Sequence, residues 1–230
     1  ALHGHNSKIH DAFTRTSNSF IQTMKGIENA IKYKKYLGTL GINTLITKLN
    51  YKDIYKILEL IINFRSIDEW YLLSFAPVNG RALKNMHILM VRYKDLLHIN
   101  DVLQTAYNYL SCIDLNEFPY CIIRQDILET KKDKIHIINS DIIEMDNKGV
   151  ICNFNPTFSF NKINYISNVS AVPHLKKLRK LHSSFRTKLN VCKKCFYSTL
   201  CGGIWKKYVS FLHLDNVNKE IEYLKRLNLS

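Results

Sequence analysis

The segment Cys192-Lys-Lys-Cys195-Phe-Tyr-Ser-Thr-Leu-Cys201-Gly-Gly places three thiols within ten positions. Thiolates two residues apart on a turn can grip one metal centre from adjacent directions, and a third can close on it after a short excursion. Such centres normally take four ligands. Cys121, in Phe-Pro-Tyr-Cys, is the candidate fourth. Lys193 and Lys194 would offset the charge of ionised thiols, and Gly202 and Gly203 would let the backbone come close to the sulfurs. Zinc and iron-sulfur chemistry both use this donor set and both stay open at this point. Cys112 and Cys152 read instead as small buried apolar residues.

The chain that must position these residues has 230 residues, 46% of them hydrophobic and 11% aromatic, enough to bury a substantial core. Lys, Asp, Asn or Glu recurs every few positions, so no apolar run of membrane-spanning length occurs. The first residues, with His3, His5, Asn6 and Lys8, do not resemble a signal peptide. A cytoplasmic protein without a membrane partner is expected, and crowded cysteines in that setting point to metal rather than disulfides. The chain starts Ala-Leu-His-Gly, which suggests that an N-terminal portion precedes it. The formal charge of +14 and the pI near 9.5 favour anionic partners, but the lysines are spread along the chain and read as a solvated basic surface.

The first half alternates strand and helix. Ser19 and Gln22 form a capping-box pattern ahead of a helix to about Lys35, with Phe20, Met24, Ile27 and Ile31 on one face. Gly41 to Thr47 reads as a buried strand, and Asn50 as the cap of a helix reaching about Arg65. Trp70 to Phe75 reads as the next strand, and Leu83 to Tyr109 as a long helix or helix pair. This rhythm implies an α/β protein with a parallel sheet and ligands at the carboxyl ends of its strands, at residues 4–6, 47–50 and 76–81. Beyond about residue 110 the rhythm changes. Strand-like pieces at Phe118 to Ile123 and Lys134 to Ile143, a Phe/Asn-rich loop at Cys152 to Tyr165, helix-like Pro173 to Lys188 and a short charged surface helix at Val217 to Leu227 are expected. His10-Asp11 reads as a pair that fixes a loop, and Trp205 and Tyr208 as core beside the cysteine turn.

These residues resemble the radical SAM enzymes that carry a C-terminal SPASM or twitch-type extension. Leu2-His3-Gly4-His5-Asn6 with Ile9-His10-Asp11 is similar to the segment around that family's fourth barrel strand, and Ile42 to Asn50 to the fifth. Phe75-Ala76-Pro77-Val78-Asn79-Gly80-Arg81-Ala82 resembles the end of the sixth strand. Cys192 to Tyr208, read as C-x2-C-x5-C-G-G-I-W-x2-Y, resembles the extension that binds an auxiliary 4Fe-4S cluster.

The resemblance implies the C-terminal part of a partial (β/α)6 barrel over residues 1–110, followed by a small cysteine-containing α+β extension over 111–230. It implies an enzyme that cleaves S-adenosylmethionine reductively and abstracts hydrogen from a peptide or protein, with an electron donor such as flavodoxin or ferredoxin. His3, Gly4, Asn50, Pro77, Gly80 and Ala82 would lie around S-adenosylmethionine; Cys121, Cys192, Cys195 and Cys201 would hold the auxiliary cluster. The C-x3-C-x2-C motif of the SAM-binding cluster and the first three barrel strands are not among these residues, so this stretch alone would not generate the radical. Trp205 stands where fuller extensions place another cysteine, which leaves one auxiliary cluster. Two other readings are a zinc-stabilised basic RNA-binding module, for which no stacking motif is evident, and a catalytically inactive domain that grips a leader peptide through a sheet edge.

Overall fold

A computed structural model describes residues 1–78, 80–138 and 184–228 of the chain. Four parallel strands, β1 (Gly41–Ile46), β2 (Glu69–Ser74), β3 (Cys112–Asn116) and β4 (Ile135–Ile138), pair in chain order into one sheet. The helices are α1 (Ser7–Thr14), α2 (Ser19–Lys32), α3 (Lys34–Leu37), α4 (Ile54–Asn63), α5 (Gly80–Lys84), α6 (Met86–Leu89), α7 (Ile99–Ala106), α8 (Gln125–Thr130), α9 (Lys206–Leu212) and α10 (Leu214–Asn228). A two-stranded antiparallel ribbon, β5 (Arg186–Thr187) with β6 (Ile204–Trp205), accompanies the cysteine segment. The expected α/β class with a parallel sheet is present, and none of the described helices is long and apolar enough to cross a membrane.

Side chains alternate across each strand, so the two sheet faces can be read from the register. Ile42, Trp70, Ile113 and Ile135 form one register row, and Thr44, Leu72, Leu115 and Ile137 the next. With the stripe Ile54, Ile57, Leu58 and Ile61 of α4 and Ile99, Val102, Leu103 and Ala106 of α7, this face belongs to one continuous apolar core. The Trp70 indole and the Thr44 hydroxyl on this face are matched: the indole donates to Thr44 Oγ1 at 2.9 Å, and that hydroxyl donates to Leu2 O at 2.8 Å. The opposite face carries Asn43, Tyr71, Asp114 and His136 in one row, a polar composition unlike that of a parallel sheet buried on both sides.

Several local expectations are corrected. Ser19 does not cap α2; Asn18 precedes it in a left-handed conformation, and the Asp11 carboxylate accepts from Asn18 N, Ser19 Oγ and Phe20 N at 2.8–2.9 Å. A longer-range carboxylate thus satisfies the amides that the capping box would have served, and Asp11 does fix the loop. Asn50 caps no helix with its side chain, and a turn of 3-10 helix (Tyr51–Asp53) leads into α4. The long helix over Leu83 to Tyr109 is broken into α5, α6, a 3-10 turn at Tyr93–Leu96 and α7, because Met90 and Arg92 are extended and Met90, Val91 and Tyr93 are drawn into the core.

The sheet also runs across residue 110, where a change of domain was expected: β3 and β4 continue it to Ile138. Residues 118–123, expected as a strand, hold a 3-10 turn at Tyr120–Ile122. The expected loop at 152–165 and most of the expected helix at 173–188 lie outside the described residues, and at Arg186–Thr187 the chain is extended.

Candidate metal centre of four cysteines

Cys121 follows β3, in the 3-10 turn off the carboxyl end of the sheet. Cys192 lies in a second 3-10 turn (Asn190–Lys194), with Cys195 and Cys201 on the loop that leads to β6. All four thiols line one cavity, together with Pro119, Ile204, Ile221, Lys188 and Lys225.

What brings these distant segments together is α10, read from the sequence as a surface helix. Asp215, Lys219, Glu222 and Arg226 face outward, but Val217, Glu220, Ile221, Leu224 and Asn228 form a buried stripe with helical spacing. Near its end, Asn228 Nδ2 donates to the carbonyls of Cys121 at 2.9 Å and Ile122 at 3.3 Å. One turn earlier Lys225 Nζ donates to Val191 O at 2.9 Å, next to Cys192. The same helix therefore holds both cysteine turns. Midway along it the buried Glu220 carboxylate accepts from Tyr208 Oη and Lys94 N, each at 2.9 Å, and Tyr208 Oη accepts from Tyr93 N at 2.9 Å. Trp205 and Tyr208 are buried as expected, and the Arg186 guanidinium stacks over Trp205 at 4.0 Å while pairing with Glu117 at the end of β3. Tyr120, which lines the cavity, stacks on Tyr197 at 5.1 Å.

Burial, followed by the neighbouring Cys201, Cys192 and Cys195, pushes the Cys121 thiol well above the usual range. Burial also raises Cys192, opposed in part by Lys225. Thiols in that state are poor nucleophiles, and a metal would have to displace their protons to bind. The lysines that serve the site are Lys188 and Lys225; Lys193 and Lys194 point to solvent. Gly203, at φ +87°, donates its N–H to Cys201 Sγ at 3.4 Å, and a Cβ there would lie 2.5 Å from Thr187 O. Sulfur-directed N–H groups of this kind tune iron-sulfur centres.

Spacing bears on what could fit. Among the described residues, no three of these four sulfurs lie within 4.8 Å of one another. Thiolates sharing one tetrahedral zinc would be about 3.8 Å apart, from Zn–S bonds of about 2.3 Å. As they stand, the sulfurs are spread more widely than one tetrahedral zinc would set them.

The other sequence-selected residues gather elsewhere on the carboxyl edge. Residues before α1 run beside β1, with Leu2 N donating to Asn43 O at 2.8 Å. His3 Nδ1 accepts from Leu45 N at 3.2 Å, His3 N donates to His10 Nδ1 at 3.1 Å, and the His3 ring stacks on Phe13 at 4.3 Å. Burial first, and then His10, lower the His3 imidazole to about 4, so it is neutral at physiological pH. Gly4 is buried where a Cβ would lie 2.5 Å from His10 N.

Asn50 is 1% exposed, and its amide is fully engaged: Nδ2 donates to His3 O at 2.9 Å and Leu45 O at 2.8 Å, and Oδ1 accepts from Thr47 N at 2.8 Å. It ties the His3 strand to β1, so its side chain shapes the strand ends rather than reaching a ligand. Pro77 is buried after β2, and Gly80 (φ +54°, exposed) and Ala82 lie in α5. Sequence reasoning missed Lys225, Lys188 and Asn228; the apolar periodicity of Val217, Ile221 and Leu224 was the available sign that α10 packs inward. Scanned against protein-family models, curated proteins and solved structures, the chain gives no match.

Proposed function

We propose that this chain is the C-terminal portion of a radical SAM enzyme acting on a peptide or protein, with one auxiliary 4Fe-4S cluster held by Cys121, Cys192, Cys195 and Cys201. The observation that carries the proposal is the convergence of these four thiols, from segments some 70 residues apart, on one cavity off the carboxyl end of a parallel sheet. Strands joined in sequential order with helices on one face and a polar opposite face are what half of a (β/α)6 barrel requires. His3, Gly4, Asn50, Pro77, Gly80 and Ala82 sit along its carboxyl edge, the side on which such sheets take ligands. There they would frame S-adenosylmethionine through the strand-end backbone. When bound, the cluster supplies an electron relay or a substrate anchor. The protein's own part is to hold the sulfurs apart on two turns, to exclude water with Ile204, Ile221 and Tyr120, and to place Lys188 and Lys225 against the negative charge.

Anaerobic reconstitution with iron and sulfide tests the cluster. Four irons and four sulfides per chain, lost in Cys201→Ser and in Cys121→Ser, are expected. Zinc uptake that is lost in Cys195→Ser, with no iron uptake, would instead support a zinc-stabilised module, and salt-sensitive RNA binding would then follow. For the enzyme itself, the coding region upstream of Ala1 should encode C-x3-C-x2-C, and the longer protein should release 5'-deoxyadenosine from S-adenosylmethionine under reducing conditions.

A further inference from the structure

A second group of donors lies on the polar face of the sheet, apart from the four cysteines. Along β3 the period of two puts Cys112 and Asp114 on the same side, and the parallel register sets His136 of β4 directly opposite Asp114. The three donor atoms close a triangle: Cys112 Sγ to Asp114 Oδ1 is 3.3 Å, Cys112 Sγ to His136 Nδ1 is 3.6 Å, and His136 Nδ1 to Asp114 Oδ1 is 3.2 Å. Among the described residues this is the set of His, Cys, Asp or Glu donors that lies mutually within 4.8 Å.

From this geometry we infer a mononuclear divalent-metal site of the zinc type, with Cys112, Asp114 and His136 as its protein ligands. Tetrahedral bonds of about 2.3 Å to sulfur, about 2.05 Å to imidazole nitrogen and about 2.1 Å to carboxylate oxygen separate the donors by roughly 3.6 Å (S to O), 3.55 Å (S to N) and 3.4 Å (N to O). The observed triangle differs from these by no more than about 0.3 Å, so an ion can be seated by small side-chain adjustments. Sulfur, nitrogen and oxygen donors together favour a borderline transition ion over magnesium or calcium.

The charge also balances. A thiolate and a carboxylate around one dication make a neutral centre, which suits side chains 1% and 0% exposed. His136 is partly exposed, so the fourth position of the ion faces the accessible side of the sheet, where water or an anionic group of a substrate would complete it. Three protein ligands and one exchangeable position are the pattern of catalytic rather than structural zinc. Ligation through Nδ1 places the imidazole proton on Nε2. In the next register row Glu69 accepts a hydrogen bond from Tyr71, whose own register partner is Asp114, so a hydrogen-bonded pair adjoins the ion.

This inference does not rest on the four-cysteine reading, and the experiment separates them. Zinc uptake by the full chain is measured by equilibrium dialysis, and the bound ion by zinc-edge X-ray absorption, which does not see iron. A shell with imidazole nitrogen, lighter donors near about 2.1 Å and sulfur near about 2.3 Å is expected. One zinc equivalent should be lost in His136→Ala and in Cys112→Ser and kept in Cys195→Ser. A sulfur-only shell, uptake unchanged in a folded His136→Ala protein, or no retained zinc would each overturn the site. Should either variant unfold, the wild-type spectrum alone decides, because imidazole scattering cannot come from the four-cysteine cavity.

Discussion

Replacing Asn228 with alanine tests whether α10 is what assembles the cysteine site. The Asn228 amide is buried and donates to two carbonyls, those of Cys121 and Ile122. Ile122 O keeps a second donor, Asn100 Nδ2 at 3.0 Å, so the variant chiefly leaves Cys121 O without its partner. A buried polar group stripped of its hydrogen bond costs about 1–3 kcal/mol. With a urea slope near the upper end of about 1–3 kcal/mol per molar, the unfolding midpoint should fall by about 0.3–1 M with the slope unchanged.

Asn228→Asp sharpens the test. It keeps the shape but sets a carboxylate against carbonyl oxygens, so it should destabilise more than alanine at neutral pH and recover part of that difference on acidification. Because the bond holds the Cys121 turn, alkylation of Cys121 in the native state should also accelerate in both variants. Midpoints within experimental error of wild type, or aspartate tolerated as well as alanine at pH 7, would refute the assignment of α10 as the clamp.

Tyr208→Phe removes the hydroxyl between Tyr93 N and Glu220 while keeping the ring stacked on Tyr93 at 4.2 Å; a loss of about 2–4 kcal/mol is expected, read by denaturant titration. Gly203→Ala forces a Cβ toward Thr187 O at a left-handed φ, and should cost about 1–3 kcal/mol and lower cluster occupancy, measured as iron per folded chain. The buried His3 resists protonation to about 4, whereas in the unfolded chain it titrates near 6.5, so its contribution is complete above 6.5 and is lost as pH falls through 4. Between pH 7.5 and 5 this amounts to about 2 kcal/mol, and His3→Asn, which retains an acceptor but does not titrate, should flatten that part of the stability profile.

The α/β class, the strands β1 and β2 and the three closely spaced cysteines Cys192, Cys195 and Cys201 could be read from the sequence, because period, flanking glycines and thiol spacing are local properties. Gly41 to Ile46 and Glu69 to Ser74 are short β-branched or apolar runs that no helix period fits. Capping and helix breaks were less legible. Asp11 serves amides seven to nine positions on, and the Tyr93 amide, just after the extended Arg92, donates to a hydroxyl 115 residues away, so in each case a distant partner outweighs local propensity.

Tertiary structure alone decided two things. It showed that α10 turns a polar-looking tail inward to bind both cysteine turns, which depends on the carbonyls of Cys121 and Val191 being within its reach. It also set Cys112 and Asp114 beside His136, a residue 22 positions beyond Asp114 whose proximity follows from the β3–β4 register. Sequence carries the period that puts Cys112 and Asp114 on one face; the partner across the sheet is chosen by how the strands slide into register, which burial of the apolar rows determines.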